Sequence, residues 1–138
     1  MTDELIRARE LLCDPDLTCV FIKNGEVSVS RERGVAPLLS MLDSKKDMSG
    51  ASCADKVVGK GAAFLYVRLG VREIYAKVIS SPAKTVLIDN GINVFFDTEV
   101  SQIRNRTNTG YCPIESAVLD ISDPLSAEST IRARLERI

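Results

Sequence analysis

The sequence has 138 residues, with 18 Lys and Arg against 19 Asp and Glu and a formal net charge of −1, which suits one compact domain and argues against a second. Its basic residues are spread along the chain, so bulk charge implies neither nucleic acid nor an anionic membrane as partner, and no apolar run approaches the roughly 20 residues that cross a bilayer. There is no histidine, which removes the commonest general base and metal ligand and leaves any chemistry to Cys, Asp, Glu, Lys, Tyr or backbone groups.

The chain opens on an amphipathic pattern instead of a basic and then apolar signal segment. Its four cysteines, Cys13, Cys19, Cys53 and Cys112, are dispersed and include no Cys-x-x-Cys pair. Both features predict reduced thiols in a cytoplasmic protein with no disulfide framework.

Thr2-Asp3-Glu4 precedes Leu5, Ile6, Ala8, Leu11 and Leu12 at helical spacing, and Asp14-Pro15 stops the run, predicting a first helix over 3–13. Residues 18–23 are rich in β-branched side chains, and Asn24-Gly25 leads into the strict alternation of 26–30, which predicts a β-hairpin. Gly34-Val35-Ala36-Pro37 opens a short helix through Leu42, and a polar loop follows to Gly50.

The stretch from Ser49 to Leu69 reads as a loop entering one long helix, because Ala54, Val57, Val58, Gly61, Ala62 and Leu65 recur at three-and-four spacing. Gly70 ends it, and 73–79 reads as a third strand. Ser81 as cap and Pro82 at the first helical position predict a helix to about Asn90, followed by a strand over 93–98. Residues 100–108 form a polar, Arg-bearing stretch; helices are expected from Pro113 to about Leu119 and from Pro124 to Ile138. The order predicts a single α/β domain over 1–138, a three-layer α-β-α arrangement whose mixed sheet begins with the N-terminal hairpin.

The densest chemistry falls on Cys53-Ala54-Asp55-Lys56, read as a helix start. There Cys53 is either an activated thiolate or a buried inert thiol, and Asp55 either an acid, base or amine ligand or a carboxylate that favours the helix dipole. Lys56 and Lys60, four apart, share a face that could hold an anionic ligand, although an exposed pair beside a sheet helix is more often simply solvated. Gly59-Lys60-Gly61 matches no phosphate-binding loop, and its glycines, each costing about 1 kcal/mol against alanine in a helix, require a packing reason. Cys112 stands at the cap position before Pro113, with Glu115 in the first turn, as nucleophile or as structural turn. Arg104, Asn105, Arg106, Thr107 and Asn108 read as an anion site or as a solvated loop.

Cys53-Ala54-Asp55 and the later Ser81-Pro82-Ala83-Lys84-Thr85-Val86, each read as beginning a helix, resemble over roughly residues 1–100 the cytidine-deaminase-like superfamily. There a His-Ala-Glu or Cys-Ala-Glu triplet starts the helix after the hairpin, and Pro-Cys-x-x-Cys starts the helix after the next strand; together these hold zinc, and the Glu shuttles protons. On this match Cys53 takes the first ligand position and Asp55 the proton shuttle. Ala83 and Val86 stand where both remaining cysteines belong, so zinc deamination is not expected.

The run Ala54 to Lys60 and the segment Cys112-Pro113-Ile114-Glu115 are similar to those of a small uncharacterised prokaryotic family of that fold that lacks zinc. The resemblance implies a cytidine-deaminase-like fold with no metal and no cofactor. It also implies a pocket for a nucleotide-like or other small metabolite, with Cys53, Asp55 and Cys112 as candidate catalytic groups and Lys56, Lys60, Ser81, Lys84 and Glu115 as candidate ligand contacts. The competing reading is a non-catalytic interaction or scaffold module. An exposed edge strand makes a homodimer a candidate assembly.

Overall fold

The computed structural model describes residues 1–104 and 112–136. Helix α1 (Asp3–Leu12) starts at Thr2, whose hydroxyl accepts the Leu5 N–H. Strands β1 (Cys19–Lys23) and β2 (Glu26–Ser30) form the predicted hairpin, with Asn24 and Gly25 at φ 51° and 80°. Two successive left-handed residues give the type I′ turn whose twist matches paired strands. The chain continues through α2 (Ala36–Ser44), β3 (Ser52–Val58), α3 (Lys60–Leu69), β4 (Glu73–Ser80), α4 (Ser81–Asp89), β5 (Asn93–Val100), α5 (Pro113–Ala117) and α6 (Pro124–Glu136).

The sheet has the order β2-β1-β3-β4-β5, antiparallel on its hairpin side and parallel from β3 to β5, as expected for a mixed sheet in an α/β domain. Helix α1 covers one face, packing Leu5, Ala8 and Leu12 on Val20, Ile22, Ala54 and Tyr75. On the other face α2, α3, α4 and α6 share one larger core, in which Leu38, Phe64, Leu65, Tyr66, Leu87 and Ile131 meet Phe21, Cys53, Ile74 and Ile79. The β3-α3-β4 and β4-α4-β5 crossovers place both linking helices on that face, as crossovers of one hand must.

The long helix expected after Gly50 is instead a strand and a helix. Residues Ser52–Val58 form β3, the central strand, and α3 begins at Lys60 with Gly59 as its cap. Cys53, Asp55 and Lys56 therefore lie within a strand and not at a helix start. Flanked by β1 and β4 and covered on both faces, the strand from Ser52 to Asp55 is buried at every position and shows no alternation. The helical spacing across Gly59 is a coincidence of two elements. A smaller correction falls at α4, where Ser80 and not Ser81 is the cap, its hydroxyl accepting the Ala83 N–H at 3.2 Å. The polar stretch read over 100–108 is described only to Arg104; Asn105 to Asn108 lie outside the described residues, as does the end of the terminal helix read to Ile138.

Candidate functional site

Where α2 and α3 begin, the start of β1 and the end of β3 leave a cavity of about 190 Å³. Thr18 and Cys19 contribute from the start of β1, Asp55, Lys56 and Val57 from the end of β3, and Arg33, Gly34, Val35 and Pro37 from the entry to α2. Gly59 and Ala62 close it from α3, and Ile103, Cys112, Ile114 and Glu115 from the tail.

The register explains the polar centre. Cys19 pairs directly with Asp55 across β1 and β3, and both side chains face α3. From the first two turns of that helix Tyr66 reaches back: its hydroxyl donates to Asp55 Oδ2 at 2.7 Å and stands 3.2 Å from Cys19 Sγ. With the phenol proton committed to the carboxylate, the thiol is the donor to the phenol oxygen. The Val57 N–H reaches Asp55 Oδ1 at 3.3 Å. Cys19, Asp55 and Tyr66 are 1%, 7% and 0% exposed.

Burial dominates the electrostatics. It lifts the Asp55 carboxyl to about 7, against the opposing pull of the Tyr66 hydroxyl and the backbone N–H groups of Val57 and Lys56. Burial and then the Asp55 charge raise the Cys19 thiol well above its ordinary range, and the same two causes raise Tyr66. A carboxyl that titrates near neutral pH is both an available acid and an available base.

The second fixed carboxylate belongs to Glu115. Its two oxygens accept from the backbone N–H groups of Lys60 at 2.7 Å and Gly61 at 2.9 Å, closing the amino end of α3. The same contact supplies the packing reason for the glycines. A Cβ on Gly59 would stand 2.5 Å from the Glu115 carboxyl carbon, and one on Gly61 would stand 2.6 Å from Ile114 Cγ2.

The structure thus brings Asp55, Cys112 and Glu115 to one cavity. Lys56 contributes to its wall, but its ammonium points to the other side of the sheet, donating to the carbonyls of Asp14 and Pro15 at 3.1 and 3.0 Å. Cys53 does not join them: its side chain is fully enclosed in the core, where burial raises the thiol well above its ordinary range. Lys60 Nζ donates to the Leu119 carbonyl, and Ser81 and Lys84, in the first turn of α4, both donate to Glu99 on β5. Sequence reasoning passed over Cys19 and Tyr66. A tyrosine on the apolar face of a helix was the available signal, since a buried phenol needs a partner.

The resemblance placed zinc-binding motifs at the helix after the hairpin and at the helix after the next strand. In this chain those helices are α2 and α3, one unit earlier than the motif match at Cys53 and Pro82 implied. They open on Val35-Ala36-Pro37 and Gly59-Lys60-Gly61. Among the described residues no three His, Cys, Asp or Glu side chains gather as a metal-holding group.

The family model described as TM1506, domain of unknown function (DUF1893), matches residues 7–135. Among solved structures, the chain is similar to a DUF1893 family protein (TM1506) from Thermotoga maritima, with 27% identity, a TM-score of 0.85, and coverage of 100% of this chain and 92% of that one. It is also similar to a dCMP deaminase from the cyanophage S-TIM5 in complex with dCMP and dUMP, with 15% identity, a TM-score of 0.50, and coverage of 70% and 98%. The second likeness shows a shared fold. No curated protein matches the sequence.

Proposed function

We propose that this chain, which belongs to the DUF1893 family, binds a nucleotide-like or other small metabolite in the cavity at the starts of α2 and α3, with Asp55 as its polar anchor. The observation that carries this reading is a carboxyl titrating near 7 on the wall of a cavity whose apolar lining is Val35, Pro37, Val57, Ala62, Ile103 and Ile114 and whose polar lining adds Thr18, Arg33 and Glu115. An apolar pocket with few convergent polar groups, one of them strongly perturbed, is the usual form of a small-molecule site. Asp55 accepts a ring or exocyclic N–H when charged and donates to a ring nitrogen or carbonyl when neutral. Cys112, half-buried in the same wall, is the thiol available for cysteine chemistry. Burial keeps Cys19 and Cys53 protonated.

Zinc-dependent deamination is outside this proposal, because α2 and α3 open without a thiolate or imidazole to ligate the metal. One observation favours the alternative of a non-catalytic interaction module. Among the described residues every buried side-chain polar atom has a partner, which is what a purely structural Cys19-Tyr66-Asp55 network would require.

Thermal melting of the protein against nucleobases, nucleosides, nucleotides and small amines separates the two readings. Ligand binding predicts a rise in Tm for at least one class that is lost in Asp55→Asn. A flat response across all classes leaves the interaction module standing. Metal analysis of protein purified without chelator is expected to find no stoichiometric zinc.

A further inference from the structure

The sheet face beneath α1 carries a second, open cleft of about 550 Å³, on the opposite side of β3 from the Asp55 carboxyl. The register builds its floor. Asp55 pairs with Ala76 and Val57 with Val78, so Lys56 stands beside Lys77; Ala76 pairs with Phe96 and Val78 with Thr98, so Lys77 stands beside Asp97. Ala54, Tyr75 and Phe95 pack under α1, and side chains two positions further along a strand share that face. Lys56, Lys77 and Asp97 therefore form one row across three strands.

The charges in this row are not balanced. The Asp97 carboxylate is engaged by the Tyr75 hydroxyl, which donates to Oδ2 at 2.5 Å. The Arg9 guanidinium lies 5.8 Å from the Tyr75 ring centre, and Lys56 spends its donors on the two carbonyls at the end of α1. Among the described residues no carboxylate forms an ion pair with Arg9, Lys56 or Lys77. Like charges side by side on adjacent strands, spaced about 4.8 Å, oppose each other. A chain with a net charge of −1 nonetheless gathers three cations at this cleft.

We infer that this cleft binds the phosphate group of a small phosphorylated metabolite. The forked N–H donors of Arg9 suit two phosphate oxygens, Lys77 supplies an exposed ammonium, and Lys56 adds positive potential from the floor. The cleft is larger than a phosphate group and leaves space for the remainder of the molecule. A dianion seated between Lys56 and Lys77 would meet both ammonium groups. Because Arg9 and Lys77 are exposed, the binding is salt-sensitive. The inference stands apart from the Asp55 reading, since neither Arg9 nor Lys77 lines that cavity.

Calorimetric titration of the whole chain with inorganic phosphate and with pyrophosphate, at constant ionic strength set by chloride, tests it. The expected result is saturable one-to-one binding, weakened at least tenfold by Arg9→Gln and by Lys77→Gln and unchanged by Lys84→Gln on the far side of the sheet. Circular dichroism verifies that these surface variants are folded. Absence of saturable heat, or equal weakening by all three substitutions, overturns the inference. Full-strength binding by Lys77→Gln overturns it as well.

Discussion

Glu115 and Gly59 fit one another: the carboxylate that accepts the Lys60 and Gly61 N–H groups occupies the space where a side chain at position 59 would lie. The tail is thereby fixed to the start of α3, which brings Cys112 to the cavity wall. Glu115→Ala removes the cap and is expected to cost about 1–2 kcal/mol in denaturant unfolding. Gly59→Ala forces a Cβ against the carboxyl and costs about 1–3 kcal/mol. The two losses do not add. Gly59 has φ −95°, which alanine adopts freely, so with Glu115 already truncated the Gly59→Ala change loses its clash and retains only the smaller cost of alanine at a helix cap. Additive losses in the double variant contradict the fit.

Asp55 predicts an inverse response to pH. The folded state holds this proton up to about 7, whereas the unfolded chain releases it near 3.8. Between those values the unfolded state binds fewer protons, so this residue's contribution makes stability fall as pH rises and then level off above 7. Asp55→Asn removes that slope. Its amide can donate to the Tyr66 oxygen while its carbonyl keeps the Val57 N–H, so the variant is expected to be more stable than the native chain at pH 8, by at most about 4 kcal/mol. Unfolding curves from pH 4 to 8 check this, and parallel profiles for the two proteins would refute the burial argument.

Thiol labelling orders the cysteines by access. Cys13 is exposed and Cys112 half-buried, whereas Cys19 and Cys53 are enclosed and held protonated by burial. In the native protein a maleimide is expected to modify Cys13 and Cys112 at least tenfold faster than Cys19 and Cys53, and all four equally once unfolded. Mass spectrometry of digested samples reads the sites directly. Rapid native labelling of Cys53 would restore it as a reactive group.

The hairpin and the β4-α4-β5 crossover were legible because their signals are local. Asn24-Gly25 specifies a turn by its own backbone preference, and Ser80-Ser81-Pro82 marks a helix start to within one residue. The central strand was not legible, because its identity comes from its neighbours: Ser52, Cys53, Ala54 and Asp55 have no alternation to display when both faces are covered. Asp55 was therefore assigned to a helix start it does not occupy. Its surroundings are tertiary. Cys19 arrives from β1 and Tyr66 from α3, 36 and 11 positions away, and no spacing rule connects them. Sequence proximity likewise grouped Cys53 with Asp55, although the core encloses the first and the cavity receives the second.

Glu73 predicts the opposite acid behaviour from Asp55 on the same sheet. Its carboxylate, 2% exposed at the start of β4, accepts from Ser52 Oγ at 2.6 Å, from Arg72 Nη2 at 3.2 Å and from the Thr2 hydroxyl that also caps α1. Burial opposes its charge, but the hydrogen bonds of Ser52 and Thr2 and the Arg72 charge prevail and hold it below its ordinary 4.5. A depressed folded value means that the stabilisation is complete above 4.5 and is lost as pH falls through the lower folded value. Glu73→Gln is expected to cost about 1–3 kcal/mol at pH 7, because one amide cannot accept all three donors. The difference from the native chain should shrink on acidification below 4.5, whereas that of Asp55→Asn should shrink on acidification from 8 towards 4. Unfolding measured on both variants across the two ranges distinguishes a carboxylate stabilised by its neighbours from one raised by burial.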